Sequence, residues 1–343
     1  MRFFLGLILI SFAATSAAIV PFINLLYRLK FTRRPQKTRD FLGRRTQIFD
    51  RFHRQKAGTP LGAGILLIVL ISIFFAAAFF FSKATGVYIT SVFPITGELN
   101  VIFFTLFSFG LLGFFDDFKK IFNLEEKGVF GLRLRDKFLF QWLLAFIIAF
   151  LLYYQLGISI INIPFWGVLD LGLGYIPLAA FIIVAFTNAF NITDGLDGLA
   201  CGLLLICLVA FCFLSFQIFD TPLTILTSIW IGVLIAFLYF NVYPARVFLG
   251  DTGAMAFGAL MAVVGLMLGK IIALAFIGGI FILEVGSSLL QMLSKAWRGK
   301  KIFRAAPVHL WLQDRGWEEP KIVMRAWLAQ LVLAIFGLWL ATF

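Results

Sequence analysis

The chain has 343 residues, of which 62% are hydrophobic and only 13% are charged, and its mean hydropathy is +1.00. This composition is far from that of soluble proteins and indicates a polytopic membrane protein. In a soluble protein the net charge of +12 would suggest nucleic-acid binding. Here the basic residues stand in loops between apolar runs, where membrane topology accounts for them, so a nucleic-acid partner is not expected.

The cysteines and histidines limit the metal chemistry of the chain. Cys201, Cys207 and Cys212 fall within one apolar run without metal-type spacing, so they are interpreted as small buried hydrophobic residues. The two histidines, His53 and His309, both stand in polar loops. A metal site built from several histidines is therefore excluded.

Ten apolar runs approach or exceed the length of about 20 residues that a helix needs to cross a bilayer. The first run lacks a small-residue cleavage site followed by a soluble domain, so a retained spanning helix is expected. Residues 1–343 are predicted to form one all-α membrane domain. The predicted spans are 3–27, 61–82, 99–115, 138–156, 175–191, 199–217, 222–240, 253–268, 271–293 and 323–342.

The basic residues predict which side of the membrane each loop faces. Residues 28–60 carry eleven Lys and Arg, which places this loop in the cytoplasm and both termini on the outer side. If the loops alternate sides through ten spans, 25 of the 29 basic residues fall in cytoplasmic loops. The outer loops, 83–98, 157–174 and 218–221, are expected to hold few charges and no clustered polar groups.

Five aspartates fall at the predicted cytoplasmic ends of these spans. Asp116 and Asp117 lie in FFDDFKK, Asp194 and Asp197 in NAFNITDGLDGLA, and Asp251 in FLGDTG. Acids at a membrane boundary are functional candidates, because an ionised carboxylate there faces protein, water or a cation. Simpler roles remain open: a solvated helix end for the first pair, a polar turn for the second, and a helix N-cap for Asp251.

Neighbouring residues favour a site over these simpler roles. Acids three residues apart lie on one face of a helix or turn, and Asn188 and Asn191 flank the second pair. The loop before Asp251 adds the amide of Asn241 and the guanidinium of Arg246. In HRQKAGTPLGAG, Lys56 and a glycine-rich turn into a helix are suited to phosphate, although lysine before the glycines is not a Walker motif.

Carboxylates beside basic, glycine-rich loops suit a hard cation such as Mg²⁺ that also holds substrate phosphates. Phosphoryl transfer needs positioning and charge neutralisation more than covalent help. A basic cytoplasmic face next to lipid then predicts two phosphate-bearing substrates, one soluble and one in the bilayer. A transporter is the non-enzymatic alternative, and it predicts acids near the middle of the bilayer on broken helices.

Four segments, FFDDFKK, NITDGLDGLA, NVYPARVFLGDTGA and RAAPVHLWLQDRGWEEPKIVMRAW, resemble in order and spacing the polyprenyl-phosphate N-acetylhexosamine-1-phosphate transferases. Within these, HRQKAGTP, GLRLRDKFLFQ and LEVGSSLLQ look most like the phospho-N-acetylmuramoyl-pentapeptide transferases. The resemblance implies ten helices, commonly dimeric, in the bacterial inner membrane, with a cytoplasmic Mg²⁺ cleft. It also implies transfer of phospho-MurNAc-pentapeptide from UDP to undecaprenyl phosphate.

The same resemblance implies roles for individual residues. Asp251 would ligate Mg²⁺, with Asp117 as a second candidate ligand, and Asp116 and Asp117 would stand at the lipid phosphate, one as a candidate base. The implied substrate-binding residues at the nucleotide pocket, the phosphates or the cation are Lys56, Thr59, Lys137, Asn188, Asn191, Asp194, Asp197, Asn241, Phe248, Gln291 and His309.

The chain departs from the family after Pro307. Three successive histidines are usual there, whereas this chain has His309, Leu310 and Trp311. Loss of two imidazoles is expected to remove hydrogen-bond donors near the nucleotide sugar. A relative that uses UDP-GlcNAc or another UDP-sugar is therefore the alternative enzyme.

Overall fold

The computed structural model describes residues 1–33, 56–82, 86, 88–122 and 131–343, so His53 lies outside the described residues. Within these ranges, nine helices are long and apolar enough to cross a membrane, or ten if one bent pair counts as a span. The helices are α1 Arg2–Arg28, α2 Ala63–Ser82, α3 Ile95–Phe122, α4 Leu134–Tyr154, α5 Tyr175–Thr193, α6 Leu199–Gln217, α7 Thr221–Asn241, α8 Gly250–Met267, α9 Ile271–Ile277, α10 Gly279–Arg298, α11 Val308–Asp314 and α12 Glu319–Ala341.

Each predicted apolar run coincides with one of these helices or with the bent pair, which confirms the coarse prediction of a polytopic helical protein. The boundary of α3 differs from the prediction. The run was expected to end at residue 115, but the helix continues to Phe122. Asp116 and Asp117 are therefore held by helical backbone and do not begin a loop.

The prediction of a purely helical chain is wrong between α4 and α5. Strands β1 (Ile160–Ile163) and β2 (Gly167–Asp170) form an antiparallel hairpin with Ile160 opposite Asp170. Isoleucines favour the extended conformation, and Gly167 adopts a φ of 97° after the turn. Both strands lie within residues 157–174, which were expected to be an outer loop.

Helix α8 is the centre of the bundle, since every one of its residues except Asp251 is buried. It packs against α2, α3 and α5 through small residues. A Cβ added at Gly113 of α3 would lie 2.2 Å from the carbonyl oxygen of Asp251, and one added at Gly253 would lie 2.9 Å from the Cα of Gly64. Membrane helices associate through such close packing, because lipid gives little hydrophobic drive between them. The packing fixes the N-terminus of α8 against α3.

The predicted span 271–293 is not one straight helix. Helices α9 and α10 are bent by 81° at Gly278. Gln330 of α12 bonds both backbone groups freed by the break: its Nε2 donates to the Ile277 carbonyl, and its Oε1 accepts from the Ile280 N–H at 3.1 Å. A Cβ at Gly278 would lie 2.5 Å from the ring of Phe186. The bend therefore directs α10 away from the path of α9.

The loops predicted to lack clustered polar groups do contain a cluster, so that prediction is wrong. Glu98 and Asp220 are both fully buried. The Ser91 hydroxyl donates to Glu98 Oε2 at 2.8 Å, and Asp220 Oδ1 accepts from the Leu223 N–H at 3.0 Å. The N–H of Val92, next to Ser91 in sequence, donates to Asp220 Oδ2 at 3.5 Å, although Asp220 lies far from this loop in sequence. Only the fold brings them together.

Gly113→Ala is expected to lower the thermal midpoint of the detergent-solubilised protein. The new Cβ would overlap the Asp251 carbonyl oxygen, and overpacking of this kind costs about 1–3 kcal/mol. The midpoint can be followed by size-exclusion chromatography after heating. Gly6→Ala is the matched control, because a Cβ at Gly6 would meet nothing within 4 Å. Equal midpoints for the two variants would contradict the close-packing argument.

Candidate active-site cleft

A cleft of about 460 Å³ opens where α3, α5, α8 and α10 meet at one end of the bundle. This volume falls within the range of about 300–1,000 Å³ that is typical of small-molecule sites. The residues around it come from distant parts of the sequence. Seven of the predicted site residues line it: Asp117, Asn191, Asp194, Phe248, Asp251, Gln291 and His309.

Lys120 and Lys137 join the carboxylates of two helices beside the cleft. Lys120 Nζ lies 3.0 Å from Asp116 Oδ2 and bonds Asp251 Oδ2. Lys137 Nζ lies 2.9 Å from the same Asp116 oxygen and 3.3 Å from Asp251 Oδ2. Asn191 Nδ2 donates to the other oxygen of Asp251 at 3.0 Å. Two anions are thus balanced by two cations at the boundary of the apolar bundle.

Lys120 was not among the predicted site residues, although the sequence contains a signal for it. It stands four residues after Asp116, and residues at that spacing face each other on a helix. The expected end of α3 at residue 115 concealed this relation. Once α3 continues to Phe122, Lys120 must lie on the same face as Asp116.

Asp117 points away from Asp116 and holds the N-terminus of α8. Its Oδ1 accepts from the Asp251 N–H at 3.0 Å, and its Oδ2 accepts from the Thr252 N–H at 2.9 Å and the Thr252 hydroxyl at 2.7 Å. Helix N-termini have unsatisfied N–H groups and a partial positive charge, which a carboxylate stabilises. The N-cap role considered for Asp251 therefore belongs to Asp117, and the Asp251 side chain is directed to the lysines.

Asp194 and Asp197 have different surroundings, so the expectation that they share one face is wrong. Helix α5 ends at Thr193, and the chain turns before α6 begins at Leu199. Asp194 lines the cleft. Burial raises the pKa of Asp194 to about 7, Arg33 opposes this shift, and the Asp251 carboxylate adds to it.

Asp197 instead bonds groups behind the cleft. Its Oδ1 lies 2.6 Å from Lys56 Nζ, and its Oδ2 accepts from the Ala245 N–H at 2.9 Å. Lys56 Nζ also lies 2.6 Å from Glu319 Oε1 and donates to the Gly195 carbonyl at 3.3 Å. Lys56, expected to hold phosphate, is thus bound by two carboxylates. It acts here as a cross-link between three segments.

Phe248 presents an aromatic ring to the cleft with cations beside it. Arg33 Cζ lies 5.3 Å from the ring centroid and Lys56 Nζ lies 5.9 Å from it. Cations at these distances are attracted to the face of an aromatic ring. Thr59 positions Arg33, since its carbonyl oxygen accepts from the Arg33 N–H at 2.9 Å. Arg33 lines the cleft but was not singled out among the eleven basic residues of its loop.

Helix α10 contributes a face with Glu284, Ser288 and Gln291. Gln291 Nε2 donates to the Phe303 carbonyl at 2.6 Å, and its Oε1 accepts from the Ile302 N–H at 3.0 Å. Gln291 therefore fixes the segment leading to α11 while it lines the cleft. Glu284 and Ser288 were not predicted, but their spacing from Gln291 matches one helical face.

His309 is held in place from both sides. Glu284 Oε2 lies 3.0 Å from His309 Nδ1, and Glu284 Oε1 accepts from the His309 N–H at 3.2 Å. The imidazole is only 1% exposed. A Cβ added at Gly195 would lie 2.7 Å from His309 Nε2, so glycine is what allows the ring to approach the turn.

The positions that replace the usual histidines have other surroundings. Leu310 is 4% exposed, and Arg315 Cζ lies 3.9 Å from the centre of the Trp311 ring. Of the described residues that line the cleft, α11 contributes His309 and neither of these two. The expected loss of hydrogen-bond donors near the nucleotide sugar stays a prediction.

The other seven predicted residues, Asp116, Lys56, Thr59, Lys137, Asn188, Asp197 and Asn241, are not among the described residues that line the cleft. Asn188 Nδ2 donates to Gln141 Oε1 and to the Val184 carbonyl, both at 2.8 Å. Asn241 is 1% exposed, and its Nδ2 donates to the Val247 carbonyl at 3.0 Å. Asn188 joins α4 to α5, while Asn241 supports the loop that carries Phe248.

The donor chemistry around Asp251 fits the expected Mg²⁺. The described residues contain no group of three or more His, Cys, Asp or Glu arranged to hold a metal ion. However, Mg²⁺ commonly takes only one or two carboxylates and completes its coordination with water and substrate phosphates. Asp116 and Asp251 already direct oxygens at the ammonium of Lys120, so this position attracts a cation. Asp117 has one lone-pair position left after its three hydrogen bonds.

These features define a multi-pass membrane protein with a carboxylate-lined cleft at one end of its helices. Residues 99–269 match the family described as Glycosyl transferase family 4. The chain is 35% identical over 306 residues to a phospho-N-acetylmuramoyl-pentapeptide-transferase of Rickettsia canadensis (strain McKiel). It is 34% identical to proteins of the same name from Rickettsia africae and Rickettsia felis, and each match covers 83% of this chain and 80% of the relative. The chain therefore belongs to the phospho-N-acetylmuramoyl-pentapeptide-transferase family, within glycosyl transferase family 4.

Lys120→Met is expected to destabilise the protein by about 3 kcal/mol, because it leaves the two carboxylates of Asp116 and Asp251 with Lys137 as their one remaining lysine partner. Added Mg²⁺ should raise the thermal midpoint of this variant more than that of the unsubstituted protein, since the ion would occupy the place of the ammonium. Lys119→Met is the matched control, as Lys119 makes none of these contacts. A Mg²⁺ response equal in all three proteins would contradict the cation site.

Proposed function

We propose that this protein transfers phospho-MurNAc-pentapeptide from UDP-MurNAc-pentapeptide to undecaprenyl phosphate, giving lipid I and UMP in the first membrane step of peptidoglycan synthesis. The names of the Rickettsia relatives support this reaction. The structural observation that carries the proposal is the convergence of Asp116, Asp251, Lys120 and Lys137 from three helices beside one cleft.

The two halves of this arrangement suit the two substrates. Lys120 and Lys137 provide cations for phosphate oxygens at the apolar edge, where the lipid phosphate must lie. Phe248 and His309 also line the cleft, and Phe248 offers a flat ring to a nucleobase. Aligning an acceptor phosphate with a donor diphosphate is most of what phosphoryl transfer requires.

Asp251 would hold Mg²⁺ together with the diphosphate of the donor, and the ion would supply charge neutralisation. Asp117 would keep Asp251 in place through the N-terminus of α8. In the reaction an oxygen of undecaprenyl phosphate forms a bond to the β-phosphorus, and the bond from that phosphorus to UMP breaks. One phosphoanhydride replaces another, so product removal would drive the reaction forward.

The distribution of basic residues supports a cytoplasmic active site in the bacterial inner membrane. The cleft is formed at helix ends within or beside the segments 28–60, 116–137, 188–198, 241–252 and 294–322. These segments contain 25 of the 29 Lys and Arg. A soluble UDP-linked donor would reach the cleft from that side, and both termini would lie on the other. A homodimer is part of the same proposal and rests on the family resemblance alone.

Asp251→Ala should abolish Mg²⁺-dependent release of UMP from UDP-MurNAc-pentapeptide by purified protein in detergent. The expected loss is at least about a hundredfold, since removing a group that organises transition-state charge costs several kcal/mol. Asp170→Ala in the exposed hairpin is the control and should turn over normally. Wild-type turnover by Asp251→Ala would refute the metal assignment.

The alternative donor can be tested with the same preparation. UDP-GlcNAc and UDP-MurNAc-pentapeptide are offered separately and then in competition, with UMP release as the measurement. The proposal expects turnover of the muramoyl donor and little with UDP-GlcNAc. The opposite preference would assign the chain to the relatives that use UDP-GlcNAc.

A further inference from the structure

We infer that Glu319, at the start of α12, is a positioning residue that fixes Lys56 and the turn at residues 194–197, and thereby sets the affinity for the donor. This inference rests on the proposed transferase function for its choice of substrate. Glu319 belongs to none of the acidic pairs noted in the sequence, and its side chain is only 10% exposed. The geometry around its carboxylate assigns the role.

A single oxygen of Glu319 joins three segments. Its Oε1 lies 2.6 Å from Lys56 Nζ and accepts from the Asp197 N–H, also at 2.6 Å. Lys56 in turn bonds the Asp197 carboxylate at 2.6 Å and the Gly195 carbonyl at 3.3 Å. The loop before α2, the turn after α5 and the first residue of α12 are therefore connected through one ammonium group.

Other residues fix α12 independently of Glu319. The Trp327 indole fits a notch on α6, because a Cβ at Gly202 would lie 2.1 Å from its Cε2 atom. Three residues further along the helix, Gln330 bonds both sides of the break at Gly278. Helix α12 is thus anchored to α6 and to the α9 and α10 break. Glu319 presents its carboxylate from a fixed support.

The anchored carboxylate controls groups that border the cleft. Gly195 bonds Lys56 through its carbonyl and lies against His309 Nε2 on its other side. Asp194 and Gly195 both line the cleft, and Lys56 lies 5.9 Å from the centre of the Phe248 ring. Weakening the bond between Glu319 and Lys56 would therefore make both the turn at residues 194–197 and the cation beside the Phe248 ring less well ordered. The lysines beside Asp116 and Asp251 would be unaffected.

The charge of Glu319 can be removed without removing its shape. Lys56, Asp197 and Glu319 together carry one net negative charge when ionised. In Glu319→Gln the amide oxygen can still accept from the Asp197 N–H, but the Asp197 carboxylate is then the one remaining negative charge among the three groups that Lys56 bonds. Glu319→Asp keeps the charge and shortens the side chain by one methylene. Comparing the two variants shows whether the role of Glu319 needs the negative charge or the full length of the side chain.

The experiment compares Glu319→Gln, Glu319→Asp and Glu318→Gln with the unsubstituted protein in detergent. Glu318 is the exposed neighbour, so its substitution is the matched control. UMP release gives kcat and the KM for each substrate, calorimetric titration gives the affinity for UMP, and heating gives the thermal midpoint. Glu319→Gln is expected to raise the donor KM and the Kd for UMP about tenfold, with kcat, acceptor KM and midpoint near those of the control. Glu319→Asp should recover part of the loss.

Two results would overturn the inference. One is an unchanged donor KM and UMP affinity in Glu319→Gln. The other is an equal rise in both KM values with a lower midpoint, which would indicate a structural role only. If the unsubstituted protein released no UMP, the proposed function would fail, while UMP titration would still test Glu319. Binding of UMP by the unsubstituted protein and Glu319→Gln with equal affinity would then refute the positioning role.

Discussion

The cleft depends on the contact between Asp117 and the N-terminus of α8. Three hydrogen bonds to Asp251 and Thr252 place the first turn of the most buried helix against α3. The missing side chain of Gly113 allows this approach, because any Cβ there would meet the Asp251 carbonyl. The contact fixes the backbone of Asp251, while Lys120 and Lys137 join its carboxylate to that of Asp116. The two adjacent acids of α3 therefore have different roles: Asp117 binds the backbone of α8, and Asp116 binds the two lysines.

The lysines beside the cleft are paired with carboxylates and are also suited to bind phosphate oxygens. Burying carboxylates and ammonium groups at the edge of an apolar bundle is costly unless they are paired. Lys120 and Lys137 satisfy Asp116 and Asp251 by pairing, and the same lysines suit phosphate oxygens. In the proposed reaction, these cations need partners before the two phosphate-bearing substrates arrive. The paired lysines meet that need in the described structure.

The second half of the site is built by the broken span. The 81° bend at Gly278 directs α10 so that Glu284, Ser288 and Gln291 face the segment that leads to α11. Glu284 then holds His309, and Gly195 leaves space for its ring. Helix α12 stabilises this part of the site at two places: Gln330 bonds the bend, and Glu319 bonds the turn after α5. The final helix is therefore part of the site as well as a membrane-length element.

The sequence by itself determined the membrane class, the approximate spans and the motifs that carry the aspartates. It could do so because hydropathy, charge in loops and residue type are local properties. Only the tertiary structure decided which of these groups meet. Asp194 and Asp197 separate because the turn between α5 and α6 is not helical, and Lys56 meets Glu319 across most of the chain length. Glu98 and Asp220 likewise come together from different loops. Such pairings depend on how helices pack and where one bends, and neither is recorded in the order of apolar runs.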